Sequence, residues 1–195
     1  MSSPARGQRP QPGNIVIGII SLASGHADGL RQFGATRDAF LASLAPWLAF
    51  PLVTGGLMLL GGGGLDALSN LLAVLCGLLA PPVLSFQAAR LWGRQDAWLR
   101  FATALNWCQW VVPLVGTALL AAFSFLAALG LPGGAAQAAV VFGFVAYALW
   151  LHWFLARHGL DLSPLRAAVL VLGVNFVTVV LVLGPRMLAM ELSGR

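Results

Sequence analysis

FATALNWCQWVVPLVGTALLAAFSFLAALGLPGGAAQAAVVFGFVAYALWLHWFLA, the run from Phe101 to Ala156, contains no Asp, Glu, Lys or Arg. A helix crosses the hydrocarbon core of a bilayer with about 20 apolar residues at about 1.5 Å rise each. The run is therefore long enough for two crossings, and Leu131-Pro132-Gly133-Gly134 supplies a turn near its middle. Three more charge-free runs lie on either side of it, at Ala39–Leu65, Ala67–Ala89 and Ala167–Pro185. Five membrane spans follow, at about 39–61, 66–87, 99–129, 135–156 and 164–187. The fold class is all-α: a polytopic transmembrane bundle of five helices, with an N-terminal interfacial helix ahead of it.

Composition points the same way. With 59% hydrophobic and 9% charged residues, the chain cannot cover a water-facing surface, so one membrane domain over residues 36–190 accounts for it. The net charge of +5 does not call for nucleic acid, because the arginines flank the apolar runs where anionic headgroups sit. Cys76 and Cys108 both fall inside spans, about 20 Å and about 10 Å from the arginine-rich edge. A disulfide needs Cα atoms within about 7 Å, so they are not expected to pair.

Ahead of the spans, residues 1–13 read as a disordered tail rich in Ser, Pro and Gly. Residues 14–35 place Ile15, Ile19 and Leu22 at helical spacing, which suits a short amphipathic helix in the interface plane or a segment buried against the bundle. Ile15–Gly25 is too short to span. Preceded by Arg6 and Arg9 and ending in Ser21-Leu22-Ala23-Ser24-Gly25, it also leaves a signal-peptide reading open. Thr36 is placed to cap the first span, with Asp38 in its first turn. Residues 191–195 form a short tail.

The arginines alternate. Arg6, Arg9, Arg31 and Arg37 precede span 1; Arg90, Arg94 and Arg100 lie between spans 2 and 3; Arg157 and Arg166 lie between spans 4 and 5. The two intervening loops carry none. By the positive-inside rule the N-terminus is cytoplasmic and the C-terminus lies on the opposite side, with Arg186 and Arg195 as the dissenting pair.

Uncharged polar residues sit where water is scarce. Asn106 and Gln109 lie one to two turns inside the cytoplasmic edge of span 3, His152 about one turn inside on span 4, and Asn175 about two and a half turns inside on span 5. Gln87 and Ser85 end span 2 at the same side. Unpaired amides and imidazoles cost several kcal/mol in hydrocarbon, so these groups must meet one another, backbone or trapped water. Two readings stand: interhelical hydrogen-bond glue, or a polar cavity open to the cytoplasm. All seven Trp fall in the cytoplasmic half of the spans or in the loop beside it. Trp92 and Trp98, with Arg90, Arg94 and Arg100, are candidate headgroup contacts. Pro46, Pro51, Pro81, Pro82 and Pro113 interrupt three spans.

No zinc-protease helix, nucleophile elbow or phosphate loop is present, and no carboxylate lies deep in a span. No catalytic residue, metal ligand or cofactor is expected. Five spans, short outward loops and a short C-terminal end resemble the Yip1 family of small membrane proteins, together with the Pro-rich first span and the Asn106-Trp107-Cys108-Gln109-Trp110 string of uncharacterised bacterial relatives of that type. The resemblance is architectural, covers about residues 40–187, and implies a bacterial inner-membrane location but no reaction. The expected function is non-enzymatic, acting through membrane lipids, a membrane-protein partner or a second copy of the chain at the cytoplasmic face. A small-solute or ion transporter subunit is the alternative. A redox or metal enzyme using His152 and Cys108 is a third.

Overall fold

The computed structural model describes residues 13–128, 130 and 133–193, and among these the chain is helical throughout, without strands. Seven α-helices run α1 (Ile15–Ala23), α2 (Arg37–Leu60), α3 (Gly64–Leu91), α4 (Gln95–Cys108), α5 (Val111–Ala128), α6 (Gly133–Gly159) and α7 (Pro164–Ser193), with a 3-10 helix at Ala27–Gln32 after α1. Five helical stretches are long and apolar enough to cross a membrane: Arg37–Leu60, Gly64–Leu91, Gln95–Phe125, Gln137–Gly159 and Pro164–Gly184. Only 6–22% of each apolar window is buried inside the chain, so most of that apolar surface has hydrocarbon as its solvent. The protein is an integral membrane protein. The expected tail at 1–13 lies outside the described residues apart from Gly13, as do Leu131 and Pro132 of the expected turn.

Local sequence explains the boundaries. The Thr36 hydroxyl accepts from the Ala39 amide at 3.2 Å and caps α2, with Asp38 in the first turn against the helix dipole. The Gly61–Gly64 run turns the chain into α3, with Gly62 at φ +88°, a conformation that side chains resist. Span 3 is one crossing made of two helices. Pro113 has no amide hydrogen to give the Gln109 carbonyl, which takes a tighter bond from the Val112 amide at 3.3 Å, and the helix breaks at Gln109–Trp110.

The core lies at the arginine-rich end, where α4, α6 and α7 meet. Phe101, Leu151, Leu155, Leu160 and Ala167 are buried there. α1 and the 3-10 helix fold as an antiparallel hairpin whose Leu22, Leu30 and Phe33 enter this core. Gly18 and Gly29 permit it: a Cβ on Gly18 would strike Phe33, and one on Gly29 would strike the Gly18 carbonyl. The hairpin's inner end is fully bonded. The Ile20 carbonyl accepts from the Ser24 amide and hydroxyl, Ser21 from His26, Leu22 from Gly25, and Ala23 from the Tyr147 hydroxyl at 3.2 Å. Tyr147 stands ten residues along α6 from Arg157, about 15 Å at 1.5 Å per residue. A helix end packed against the bundle needs its last carbonyls satisfied from within the protein, and these are.

A polar cavity between α3, α4, α6 and α7

A cavity of about 130 Å³ opens between α3, α4, α6 and α7 in the half of the bundle nearest the arginines. Its polar lining is Ser85, Gln109, His152, Asn175 and Thr178; its apolar walls include Pro81, Phe101, Leu105, Leu170 and Val174. Three of the sequence candidates, Gln109, His152 and Asn175, therefore meet at one space.

Their hydrogen bonds are unequally spent. Ser85 Oγ donates to the Pro82 carbonyl at 3.1 Å and accepts from Trp98 Nε1 at 3.1 Å, so it is committed. Asn175 Nδ2 donates to the Val171 carbonyl at 2.8 Å and Thr178 Oγ1 to the Val174 carbonyl at 2.8 Å, each one turn back on α7. The Asn175 Oδ1 and the Thr178 oxygen keep acceptor capacity. His152 Nε2 is buried and has no hydrogen-bond partner among the described residues. A buried polar group left without a partner costs about 1–3 kcal/mol.

The other two candidates part from the cavity. Asn106 faces α2, is 8% exposed, and donates from Nδ2 to Ser43 Oγ at 3.0 Å. Its backbone carbonyl accepts from Trp47 Nε1 at 3.1 Å, so Asn106 links α4 to α2 through both side chain and backbone. It lines a second space of about 170 Å³ between α2, α3 and α4, with Trp47, Gly77 and Leu78. Pro81, Leu105 and Gln109 wall both spaces and separate them. Gln87 is exposed on α3 and lines neither space.

At the arginine-rich rim, Arg90 and Arg100 are exposed, whereas Arg94 pairs with Asp161 at 3.1 Å and ties the α3–α4 turn to the α6–α7 turn. Trp98 is engaged inward, against Ser85 and the rings of Phe40 and Phe86. Trp92 is half-buried at the end of α3. Arg157 lies 5.3 Å over the Trp153 ring. Cys76 is exposed and Cys108 buried, both free. Among the described residues no three His, Cys, Asp or Glu come together.

Sequence reasoning missed Ser43 and Tyr147 as polar partners. Tyr147 carried a signal, being the one tyrosine of the chain and placed mid-span. Ser43 carried none, since serine is common in membrane helices. No protein-family model matches the chain, and neither a curated protein nor a solved structure shows significant similarity to it.

Proposed function

We propose that the protein is a non-enzymatic inner-membrane protein that binds a small uncharged molecule in the cavity between α3, α4, α6 and α7. The observation carrying this reading is the unpartnered His152 Nε2 on the wall of a space that Gln109, Asn175 and Thr178 also line. No Asp, Glu, Lys or Arg lines that space, so an ion entering it would lose its hydration without a counter-charge. A neutral ligand with an apolar body and one polar group suits walls of this composition. The volume of about 130 Å³ is comparable to cavities of about 150 Å³ that hold a single benzene ring.

The wider frame is that of a Yip1-like five-span protein of a bacterial inner membrane, with the arginine-rich end in the cytoplasm and the C-terminus opposite. The alternation of Arg-bearing and Arg-free connections supports that orientation. The cavity then lies in the cytoplasmic half, where a ligand or partner from the cytosol reaches it.

A ¹⁹F NMR titration of 4-fluorophenol against the protein in nanodiscs tests the binding reading. A saturable bound resonance is expected, and it is lost in His152→Leu. Identical partitioning with wild type, variant and empty nanodiscs sinks it. A transporter reading draws support from the second space across Pro81, Leu105 and Gln109. It predicts solute uptake by proteoliposomes above that of empty vesicles, and no such uptake removes it.

A further inference from the structure

From the outer surface of the α3–α7 contact we infer that the protein carries a specific site for an anionic phospholipid, separate from the cavity. An open groove of about 230 Å³ runs there between Leu84, Ala88 and Trp92 of α3 and Val169, Gly173 and Val177 of α7. Its walls are almost entirely apolar side chains, as an acyl chain requires. Arg166, Val169, Gly173 and Val177 follow one another at i, i+3, i+7 and i+11, so Arg166 stands on the same face of α7 at the groove's upper end. It is exposed and makes no ion pair with a described residue. The nearby carboxylate, Asp161, is taken by Arg94.

Length and charge together select the occupant. From Arg166 to Val177 is eleven residues, about 16 Å along the helix, against about 15 Å for one leaflet of a ~30 Å hydrocarbon core. A chain lying in the groove therefore reaches the midplane while its phosphate stays level with Arg166. The first turn of α7 adds its dipole, positive at this end. Trp92, half-buried at the end of α3, gives the opposite wall an amphipathic ring at headgroup level. A headgroup bearing net negative charge gains more from Arg166 than a zwitterionic one with the same chains, whose own ammonium offsets the phosphate that Arg166 faces.

Gly173 makes the groove testable without disturbing the fold. A Cβ placed there meets no atom within 4 Å, so a larger side chain fills groove space rather than core. Purified full-length protein is mixed with phosphatidylglycerol or phosphatidylcholine of identical acyl chains, and retained lipid is counted by native mass spectrometry. Wild type is expected to retain phosphatidylglycerol in preference. Arg166→Gln is expected to lose about fivefold of that preference, the factor given by about 1 kcal/mol for one basic residue at a membrane surface, while keeping phosphatidylcholine. Gly173→Leu, with an unchanged melting curve, is expected to weaken retention of both lipids. An Arg166→Gln protein with undiminished preference, or a Gly173→Leu protein that retains both lipids as wild type does, overturns the proposal.

Discussion

His152 and Asn106 are both polar residues in an apolar medium, and the structure treats them in opposite ways. Asn106 spends its amide on Ser43 while its backbone carbonyl holds Trp47, so it binds α4 to α2. Replacing Asn106 by Leu removes the side-chain bond and leaves the Ser43 oxygen without that donor. The expected loss is about 0.6 kcal/mol and at most about 2 kcal/mol, read from reversible unfolding in mixed micelles. His152 is the reverse case, because its Nε2 has no partner among the described residues. An apolar residue of similar size relieves that cost, so His152→Leu is expected to raise stability by about 1–2 kcal/mol in the same assay. A destabilised His152→Leu protein would mean the ring is held by bonds that this account does not include.

At the scale of elements, the α1 hairpin carries the most exposed wager. Its inner end rests on the Tyr147 hydroxyl and on local bonds from Ser24, Gly25 and His26. Tyr147→Phe leaves the Ala23 carbonyl short of a partner, at an expected cost of about 1 kcal/mol. In a background with Cys76 and Cys108 replaced, a cysteine at Ser24 should resist a membrane-impermeant maleimide, whereas one at Gln32 should react. Faster labelling at position 24 when Tyr147→Phe is added is the expected coupling. Equal labelling at 24 and 32 in the unmodified hairpin would place its tip in water.

The same scale shows what could be read in advance. Five apolar runs and their breaks were legible because length and charge alone define a span. Pro113 was legible as a break, since it removes one identifiable bond, that to the Gln109 carbonyl. Pro46 and Pro51, and Pro81 and Pro82, were expected to interrupt their spans as well, yet α2 is continuous from Arg37 to Leu60 and α3 from Gly64 to Leu91. Depth was also legible, azimuth was not. Gln87 is two residues beyond Ser85, about 200° further round α3, so sharing a level with the cavity did not place it there. Asn106 on α4 and Gln109 at its C-terminal end are three residues apart, about 60° in azimuth, enough for Gln109 to line both spaces while Asn106 lines only the one beside α2. The rotation of each helix is set by packing against its neighbours, which periodicity cannot supply when apolar residues lie all round. Residues 14–35 fit an in-plane helix and a packed segment equally well, and only the contacts of Leu22 and Tyr147 locate them.

For the whole molecule, the proposed orientation rests on the alternation of arginine-bearing and arginine-free connections between the five helices, which would put the cavity in the cytoplasmic half. The arrangement predicts opposite sides for the start of α3 and the start of α4. Asp66 and Gln95 are exposed at those two places, so replacing them disturbs no buried contact. Single cysteines at each, in the background without native thiols, are labelled in intact cells and then in inverted inner-membrane vesicles with an impermeant maleimide. Asp66→Cys is expected to react only from outside and Gln95→Cys only in the inverted vesicles. Both cysteines reacting from the same side would contradict it.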